Sequence, residues 1–171
     1  MIHPKMTVAA ISFRDSREAD TDAVYAVEER AFQSPAEARL AVTLIAEPVA
    51  TISLVADADG EIVGHVLLTE IGGPDRALAL APLAVDPDWR DMQVGTELVR
   101  HALASARQQG WKSVFVLGAP DYYRRFGFRP ELADCAEIAW QGPSFMAVEL
   151  VPGALSGWPG PLRYPQAFFQ A

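Results

Sequence analysis

Hydrophobic residues near the start of the chain follow first a strand pattern and then a helical one. The run Met6–Arg14 is β-rich and predicts a strand. The next segment carries apolar residues at helical spacing: Val24, Val27 and Ala31. Ser34 can cap a second helix that has Pro35 at its first position, and Pro48 stops that helix. This part of the chain therefore predicts one strand followed by two short helices.

Two β-rich runs within residues 51–73 flank a turn at Asp59-Gly60, and together they predict a hairpin. The following run, Ala77–Val85, is apolar on both faces, which is typical of a central strand covered by helices. Pro82 lies inside this run. Because proline donates no hydrogen bond to a neighbouring strand, we expect a bulge at Pro82 or a separation from one neighbour.

The second half of the chain predicts one long helix and three further extended runs. Apolar residues advance by fours along one face of this helix: Val94, Leu98, Ala102 and Ala106. Gly110 ends the helix; "SVFVLG" then indicates a buried strand, "APDYYRRF" a brief helix, and "GFRPEL" and "SFMAVELV" extended segments. The order is therefore β-α-α-β-β-β-α-β-α-β-β, an α/β fold with a mixed sheet and helices on its faces.

Length and composition fit one domain. The chain has 171 residues, of which 50% are hydrophobic and 21% are charged, so it can bury a sizeable core. After Val151 the sequence is rich in Pro and Gly but keeps large aromatic residues: Trp158, Tyr164, Phe168 and Phe169. We expect a domain over residues 1–151 and an extension over residues 152–171 that packs on it as irregular chain. A partner-binding arm is the alternative for the extension.

The formal net charge of −8 at pH 7 repels nucleic acid and anionic membrane surfaces and attracts a cationic substrate. No run approaches the roughly 20 apolar residues of a membrane span, and the start of the chain lacks a secretory pattern. These observations predict a cytoplasmic protein without nucleic-acid or membrane partners. Cys135 is the only cysteine, which excludes an internal disulfide and predicts an inert core residue.

The turn Arg90–Gly95, "RDMQVG", is the first candidate binding site. N–H groups at a helix start lack intrahelical acceptors, and the helix dipole favours negative charge there, so such a turn can bind a phosphate group. Arg90 adds a cation, whereas Asp91 would oppose an anion if its carboxylate faced inward. The alternative is a turn that serves the fold alone.

Together with the later segment "DYYRRFGF", the strand "LAPLAVDPDWR" and this turn resemble the GNAT superfamily of N-acetyltransferases. The resemblance covers about Met6 to Val151 and is nearest to small bacterial predicted acetyltransferases with counterparts of "VLGAPDYYRRFGF" and "YPQAF". It implies a GNAT-like acyl-CoA N-acyltransferase fold, with a central mixed, mostly antiparallel sheet flanked by helices. The family's turn reads Gln/Arg-x-x-Gly-x-Gly/Ala; the chain departs from it at Gln93, where the first glycine is expected.

The resemblance further implies acetyl-CoA as the cosubstrate. The turn would hold its diphosphate, and backbone groups freed near Pro82 would pair with its pantetheine arm. The residues expected to bind acetyl-CoA are Leu83, Ala84, Val85, Arg90, Asp91, Met92, Gln93, Val94, Gly95 and Thr96. Backbone donors do not require a particular side chain, so Gln93 leaves such a site intact but adds bulk to it. No metal is expected.

A proton donor at Tyr123 is also implied, because family members place a tyrosine there near the thioester sulfur. A phenol of pKa about 10 stays protonated at neutral pH and can protonate a departing thiolate of pKa about 8.5. Tyr122 is predicted to be a core residue or a pocket wall. For Tyr123, packing alone is the alternative.

An amine acceptor must lose a proton before it can attack a thioester, so a base or a water chain is needed. The family fixes no position for this base. Glu70, near the end of the third strand, is the candidate, with Glu28 and Glu29 on the first helix as alternatives. His65 lies in an apolar strand and is predicted to be a hydrogen-bonded core residue, and His101 is predicted to be exposed on a helix.

The expected function is acetyl transfer from acetyl-CoA to a primary amine by direct attack in a ternary complex. The acceptor is a small-molecule amine or a peptide amine. One alternative is a different acyl-CoA as donor. Another is a non-enzymatic protein of the same fold that senses a ligand or binds a partner through a degenerate CoA site. The oligomeric state is open, with a homodimer as one alternative.

Overall fold

A six-stranded sheet forms the centre of the computed structural model, which describes residues 10–49 and 51–170. Its strands lie side by side in chain order: β1 Ser12–Asp15, β2 Thr51–Ala58, β3 Glu61–Ile71, β4 Ala77–Val85, β5 Ser113–Leu117 and β6 Phe145–Glu149. Neighbouring strands are antiparallel except β4 and β5, which are parallel. The predicted mixed, mostly antiparallel sheet is therefore confirmed.

The helices are α1 Thr21–Phe32, α2 Pro35–Ala46, α3 Val94–Gln108 and the single turn α4 Pro120–Tyr123. The start of α2 follows the predicted signals, because the Ser34 side chain accepts a hydrogen bond from the Ala36 N–H and Pro35 occupies the first turn. Within the described part of the chain, no helix is long and apolar enough to cross a membrane.

The helices cover both faces of the sheet. On one face, α3 packs its apolar side against the sheet. The buried residues of this contact include Val94, Leu98 and Ala102 from α3 and Val66, Leu68 and Leu78 from the sheet. On the other face, Val24 and Val27 of α1 pack against Val55. The two faces are separate because successive side chains of a strand point in opposite directions.

Two sequence-based predictions need correction, and one lies partly outside the described residues. The extended segment predicted after Gly127 forms only a single bridge, Arg129 to Ala147, before a 3₁₀ helix begins at Pro130. Cys135 is exposed rather than buried, because it lies in the loop that follows this 3₁₀ helix. The first strand starts at Ser12, and the predicted residues before Ala10 are outside the described part of the chain.

Pro82 breaks β4, as its position in the sequence predicted. Two residues of β4, Ala81 and Pro82, stand opposite the single residue Leu67 of β3, which is a β-bulge. The pairing of β4 with β5 ends at Leu80 and Val116, whereas β4 stays paired with β3 as far as Val85. A gap therefore opens between β4 and β5 beyond Leu80.

Residues 152–170 lie along the α1 side of the sheet. Leu155 and Leu162 are buried there with Phe115 and Phe145. Gly72, directly after β3, exchanges two backbone hydrogen bonds of 2.8 Å with Arg163. These two hydrogen bonds fix the backbone of Arg163, directly before Tyr164, beside the end of β3.

Gly64 tests the contact between β3 and α3. A Cβ at residue 64 would lie 2.9 Å from Leu98 Cδ1, 3.0 Å from Val94 Cγ1 and 3.2 Å from the Ala84 carbonyl oxygen. We expect Gly64→Ala to lower the free energy of unfolding by about 1–3 kcal/mol, because the methyl group overpacks this contact.

Urea unfolding of Gly64→Ala should show a lower midpoint with an unchanged m-value. Gly142→Ala is the matched control, because a Cβ there meets no atom within 4 Å. A Gly64→Ala midpoint equal to that of the control would contradict the packing described for α3.

Candidate active site

The start of α3 presents free backbone donors. The first hydrogen bond of the helix runs from the Glu97 N–H to the Gln93 carbonyl oxygen at 3.0 Å. The preceding N–H groups of Val94, Gly95 and Thr96 therefore have no helical acceptor. Three convergent amides at a helix N-terminus, where the dipole is positive, form a site for a phosphate group.

A carboxylate and two cations fix the loop that leads into α3. The Asp86 carboxylate accepts hydrogen bonds from the Asp88 N–H at 2.9 Å and from Arg30 Nη2 at 2.8 Å. Arg90 Nη2 donates to the Ala31 carbonyl oxygen at 3.0 Å, at the C-terminal end of α1. The loop is thus tied to the last turn of α1 from both of its ends.

The backbone of the turn explains why glycine suits this position in the family pattern. Asp91 has a φ of 64° and Gln93 a φ of 65°, both in the left-handed region. Glycine adopts this region without steric cost, whereas a residue with a Cβ is strained there by about 1–2 kcal/mol. Gln93 therefore keeps the backbone turn of the family pattern without the glycine.

A cavity of about 360 Å³ lies over the start of α3. Its lining includes Val85 at the end of β4, the loop and first turn of α3, and two residues of the later tyrosine-arginine segment, Tyr122 and Arg125. A Cβ at residue 95 would lie 3.3 Å from both the Tyr122 hydroxyl and Val85 Cγ2. Gly95 therefore keeps the floor of the cavity open.

Most residues predicted to bind the cofactor line this cavity. Those that do are Val85, Arg90, Asp91, Gln93, Val94, Gly95 and Thr96. Met92 is half-buried and packs against the hydrophobic core, and Leu83 and Ala84 lie deeper along β4. Tyr122 also lines the cavity, in agreement with its prediction as a pocket wall, and so do Trp89 and Arg125, which were not among the residues expected to bind the cofactor.

The sequence contained one signal for Tyr122 and Arg125. They are three residues apart in a helical segment, a spacing that places side chains on the same face. The Arg125 guanidinium carbon lies 4.6 Å from the centre of the Tyr122 ring. This cation–π contact holds a second positive charge beside the amides of α3.

The backbone of β4 supplies further free groups toward the gap. The Asp86 N–H donates to the Val63 carbonyl oxygen at 2.8 Å, which makes these two residues a hydrogen-bonded pair. Since such pairs alternate along antiparallel strands, Ala84 bonds to β3. The N–H and C=O groups of Leu83 and Val85 then face the opposite edge, where β5 is absent.

The two adjacent tyrosines have different surroundings. The Tyr122 hydroxyl lies 3.3 Å from Thr96 Oγ1, at the wall of the cavity. Tyr123 is buried, packs edge-on against Phe128 and covers Gly118, which directly follows β5. Burial raises the pKa of Tyr123 above its ordinary value, so its hydroxyl stays protonated at neutral pH.

A second cavity, of about 250 Å³, lies at the other end of the gap. Its lining consists of Leu80, Ala81, Leu117, Trp140, Tyr164 and Phe168. Leu80 and Leu117 mark the points where β4 and β5 separate. From Ala81, β4 continues for about 13 Å to Val85 in the lining of the first cavity. The gap therefore lies between the two cavities.

The carboxylates considered as bases lie in three different environments. Glu70 is exposed and lines a surface depression together with Arg163 and Tyr164. Glu29 is exposed on α1. Glu28 is completely buried, so the expectation that it reaches the acceptor opening is wrong; its position on the helix turns it toward the sheet.

Glu28 instead begins a chain of polar groups that runs from the buried Glu28 and His65 to the half-buried Ser53 and Ser16. Its Oε2 lies 2.7 Å from His65 Nδ1, His65 Nε2 lies 2.9 Å from Ser53 Oγ, and Ser53 Oγ lies 2.7 Å from Ser16 Oγ. Burial, with a smaller contribution from the Glu37 carboxylate, raises the pKa of Glu28 to about 9. His65 is completely buried and has a polar partner at each ring nitrogen, which confirms a hydrogen-bonded core histidine; burial also lowers its pKa.

The family model described as "Acetyltransferase (GNAT) family" matches residues 16–128 of the chain. This range contains β4, the gap, the start of α3 and both tyrosines. The chain belongs to the GNAT acetyltransferase family. The expected family and fold are therefore confirmed.

GNAT relatives from bacteria match most of the chain. The uncharacterized N-acetyltransferase YjhQ of Escherichia coli (strain K12) is 39% identical over 136 residues, 75% of each protein. The uncharacterized N-acetyltransferase YhbS of the same strain is 33% identical over 155 residues, which cover 87% of this chain and 93% of YhbS.

Two solved GNAT structures share the fold closely. YhbS from Escherichia coli, in complex with CoA, superposes with a TM-score of 0.87 at 30% identity and covers 94% of this chain and 92% of its own. A GNAT family acetyltransferase from Brucella melitensis, in complex with acetyl-CoA, has a TM-score of 0.78 at 28% identity, with 92% and 97% covered.

The raised pKa of Glu28 predicts a pH-dependent stability difference. The protonated carboxyl is favoured in the folded state, so its contribution is complete below the ordinary pKa of 4.5 and is lost as pH rises toward about 9. Glu28→Gln keeps a donor for His65 Nδ1 but cannot ionise. We expect the free energy of unfolding of Glu28→Gln to rise relative to the native protein between pH 5 and pH 8.5.

Denaturant unfolding of Glu28→Gln and of the native protein at both pH values measures this difference. Because His65 is present in both proteins, its own contribution to the pH dependence of stability cancels in the comparison. Glu29→Gln is the matched control, since Glu29 is the exposed neighbour on α1 and a surface change should shift stability by under about 0.5 kcal/mol. An equal loss of stability in Glu28→Gln at both pH values would indicate an ionised, paired Glu28 instead.

Proposed function

We propose that the protein is an N-acetyltransferase that uses acetyl-CoA and transfers the acetyl group to a primary amine within a ternary complex. The observation that carries the proposal is the gap between β4 and β5, which runs from the amides of α3 to a second cavity. Similar proteins bind CoA or acetyl-CoA, as the two solved structures do.

The residues at the first cavity fit a diphosphate. The amides of Val94, Gly95 and Thr96 supply hydrogen-bond donors, and Arg90 and Arg125 supply positive charge. These local groups offset the overall charge of −8, which gives an anionic cosubstrate no long-range attraction. The exposed backbone groups of Leu83 and Val85 suit the amides of a pantetheine arm.

Acetyl-CoA supplies an acetyl thioester to the site. The amine nitrogen forms the new C–N bond with its lone pair, the C–S bond breaks, and the electron pair of that bond goes to sulfur. Tyr123 is the proposed proton donor to sulfur: its hydroxyl stays protonated, and among the described residues it has no hydrogen-bond partner to compete for the proton. Tyr122 is engaged by Thr96 at the phosphate end.

An amine that arrives as an ammonium gives up two protons: one before it attacks, and a second after the C–N bond forms, which balances the proton that Tyr123 gives to sulfur. Glu70 is the proposed acceptor, through water, because it is exposed and lines a depression that has Tyr164 in common with the second cavity. Glu28 does not suit this task, since its carboxyl is buried and bonded to His65.

Binding of acetyl-CoA is the first test of the proposal. Isothermal titration should show binding of acetyl-CoA at micromolar concentration. The double change Asp91→Gly and Gln93→Gly should alter the Kd by less than about tenfold, or 1.4 kcal/mol, because the backbone amides already have their conformation. An affinity gain well above tenfold would indicate a degenerate site, and no heat at millimolar ligand would contradict the proposal.

Loss of the Tyr123 hydroxyl tests the proton donor. We expect Tyr123→Phe to lower kcat by about 10²–10⁴-fold with an unchanged Kd for acetyl-CoA, as for removal of a general acid. Rates are measured by thiol release, and Tyr25→Phe on α1 is the control for removal of a phenol hydroxyl. A larger loss of kcat in Tyr122→Phe than in Tyr123→Phe would assign proton donation to Tyr122.

A further inference from the structure

The cavity at the far end of the gap has an apolar and aromatic lining. Trp140, Tyr164 and Phe168 supply three rings, and Leu80, Ala81 and Leu117 supply aliphatic surface. None of these six side chains carries a charge. The cavity is therefore suited to an uncharged, apolar ligand group rather than to an ammonium or carboxylate.

We infer that this cavity binds the aromatic ring of the acceptor, so that the substrate class is a primary amine on a short chain attached to one aromatic ring. The inference rests on the proposed function, because it places the ring beside the point where the gap delivers the acyl group. It narrows the proposed acceptor from any primary amine to one that carries an aromatic ring, a choice that the net negative charge of the protein does not determine.

The rings of the lining are arranged to receive another ring. Tyr164 meets Trp140 edge-on, with centroids 5.1 Å apart, and meets Phe168 edge-on at 5.0 Å. Such edge-to-face contacts are favourable for aromatic pairs, and a further ring can extend them.

The volume limits the size of the ligand group. An apolar cavity of about 150 Å³ is enough to hold benzene. The cavity of about 250 Å³ therefore accommodates one ring and a short alkyl chain. The amine at the end of that chain then lies outside the apolar wall, toward the gap.

The walls of the cavity are held in place by contacts elsewhere. The two hydrogen bonds between Gly72 and Arg163 fix the backbone immediately before Tyr164. Phe168 packs on Tyr164 and also borders a neighbouring groove that contains Glu37. Phe168 thus separates the apolar cavity from a groove whose lining carries one charge of each sign, Glu37 and Arg39.

A panel of acceptors tests the inference in the full-length protein with acetyl-CoA. We expect kcat/KM for 2-phenylethylamine to exceed that for n-butylamine and for spermidine by about tenfold or more, the scale of discrimination by an apolar pocket. Equal or higher kcat/KM for spermidine would overturn the inference.

Variants of the wall give the second test. Phe168→Ala should raise the KM for 2-phenylethylamine by about tenfold and leave the Kd for acetyl-CoA unchanged. Phe168→Leu keeps an apolar side chain and should raise this KM less than Phe168→Ala does. Leu117→Ala, at a side chain that is 54% exposed, gives the same test without disturbing the core. Phe32→Ala, an exposed phenylalanine at the end of α1, is the control. A KM for 2-phenylethylamine that is unchanged in both Phe168→Ala and Leu117→Ala would overturn the inference.

Binding of two competitors separates a ring-binding cavity from a cage for cations. 2-Phenylethanol has the ring without the amine and should compete with 2-phenylethylamine, whereas tetramethylammonium should not; the reverse result would overturn the inference. If acetyl-CoA gives no heat of binding, the proposed function itself fails. If acetyl-CoA binds and 2-phenylethanol does not compete, only the choice of acceptor fails.

Discussion

The separation of β4 from β5 is the constraint on which the site depends. A buried strand must satisfy its N–H and C=O groups, and β4 does so with β3 along its length but with β5 only as far as Leu80. The bulge at Ala81 and Pro82 changes the course of the strand at this point. The groups that remain free at Leu83 and Val85 are therefore available to a ligand, and each end of the gap opens into a cavity.

The elements around the gap are held by contacts outside it. Arg30 and Arg90 bind the loop before α3 to the end of α1, and the chain of hydrogen bonds from Glu28 through His65 to Ser53 joins α1 to β3 and β2. Buried polar groups are costly unless they are paired, so this network fixes one position of α1 on the sheet. These contacts together position the start of α3 relative to the sheet through α1.

Local chemistry explains which parts of the fold and site were predictable. Ser34 and Pro35 start α2, Asp59-Gly60 forms the hairpin turn, and Pro82 interrupts β4, because each of these residues restricts its own backbone. The segment after Gly127 was mistaken for a strand, since its apolar residues fit both an extended chain and a short 3₁₀ helix. Family resemblance supplied the proposed role of Tyr123, which periodicity alone does not give.

The sequence by itself determined the order of the elements, the break in β4 and the helix start that offers free amides. Only the tertiary structure decided which distant side chains meet: Glu28 buried against His65, the Tyr122 hydroxyl beside Thr96, and the aromatic wall that residues from two distant segments form at the far cavity. The physical reason is range. Backbone conformation is set by neighbouring residues, whereas the shape and polarity of a cavity depend on chain segments that folding brings together.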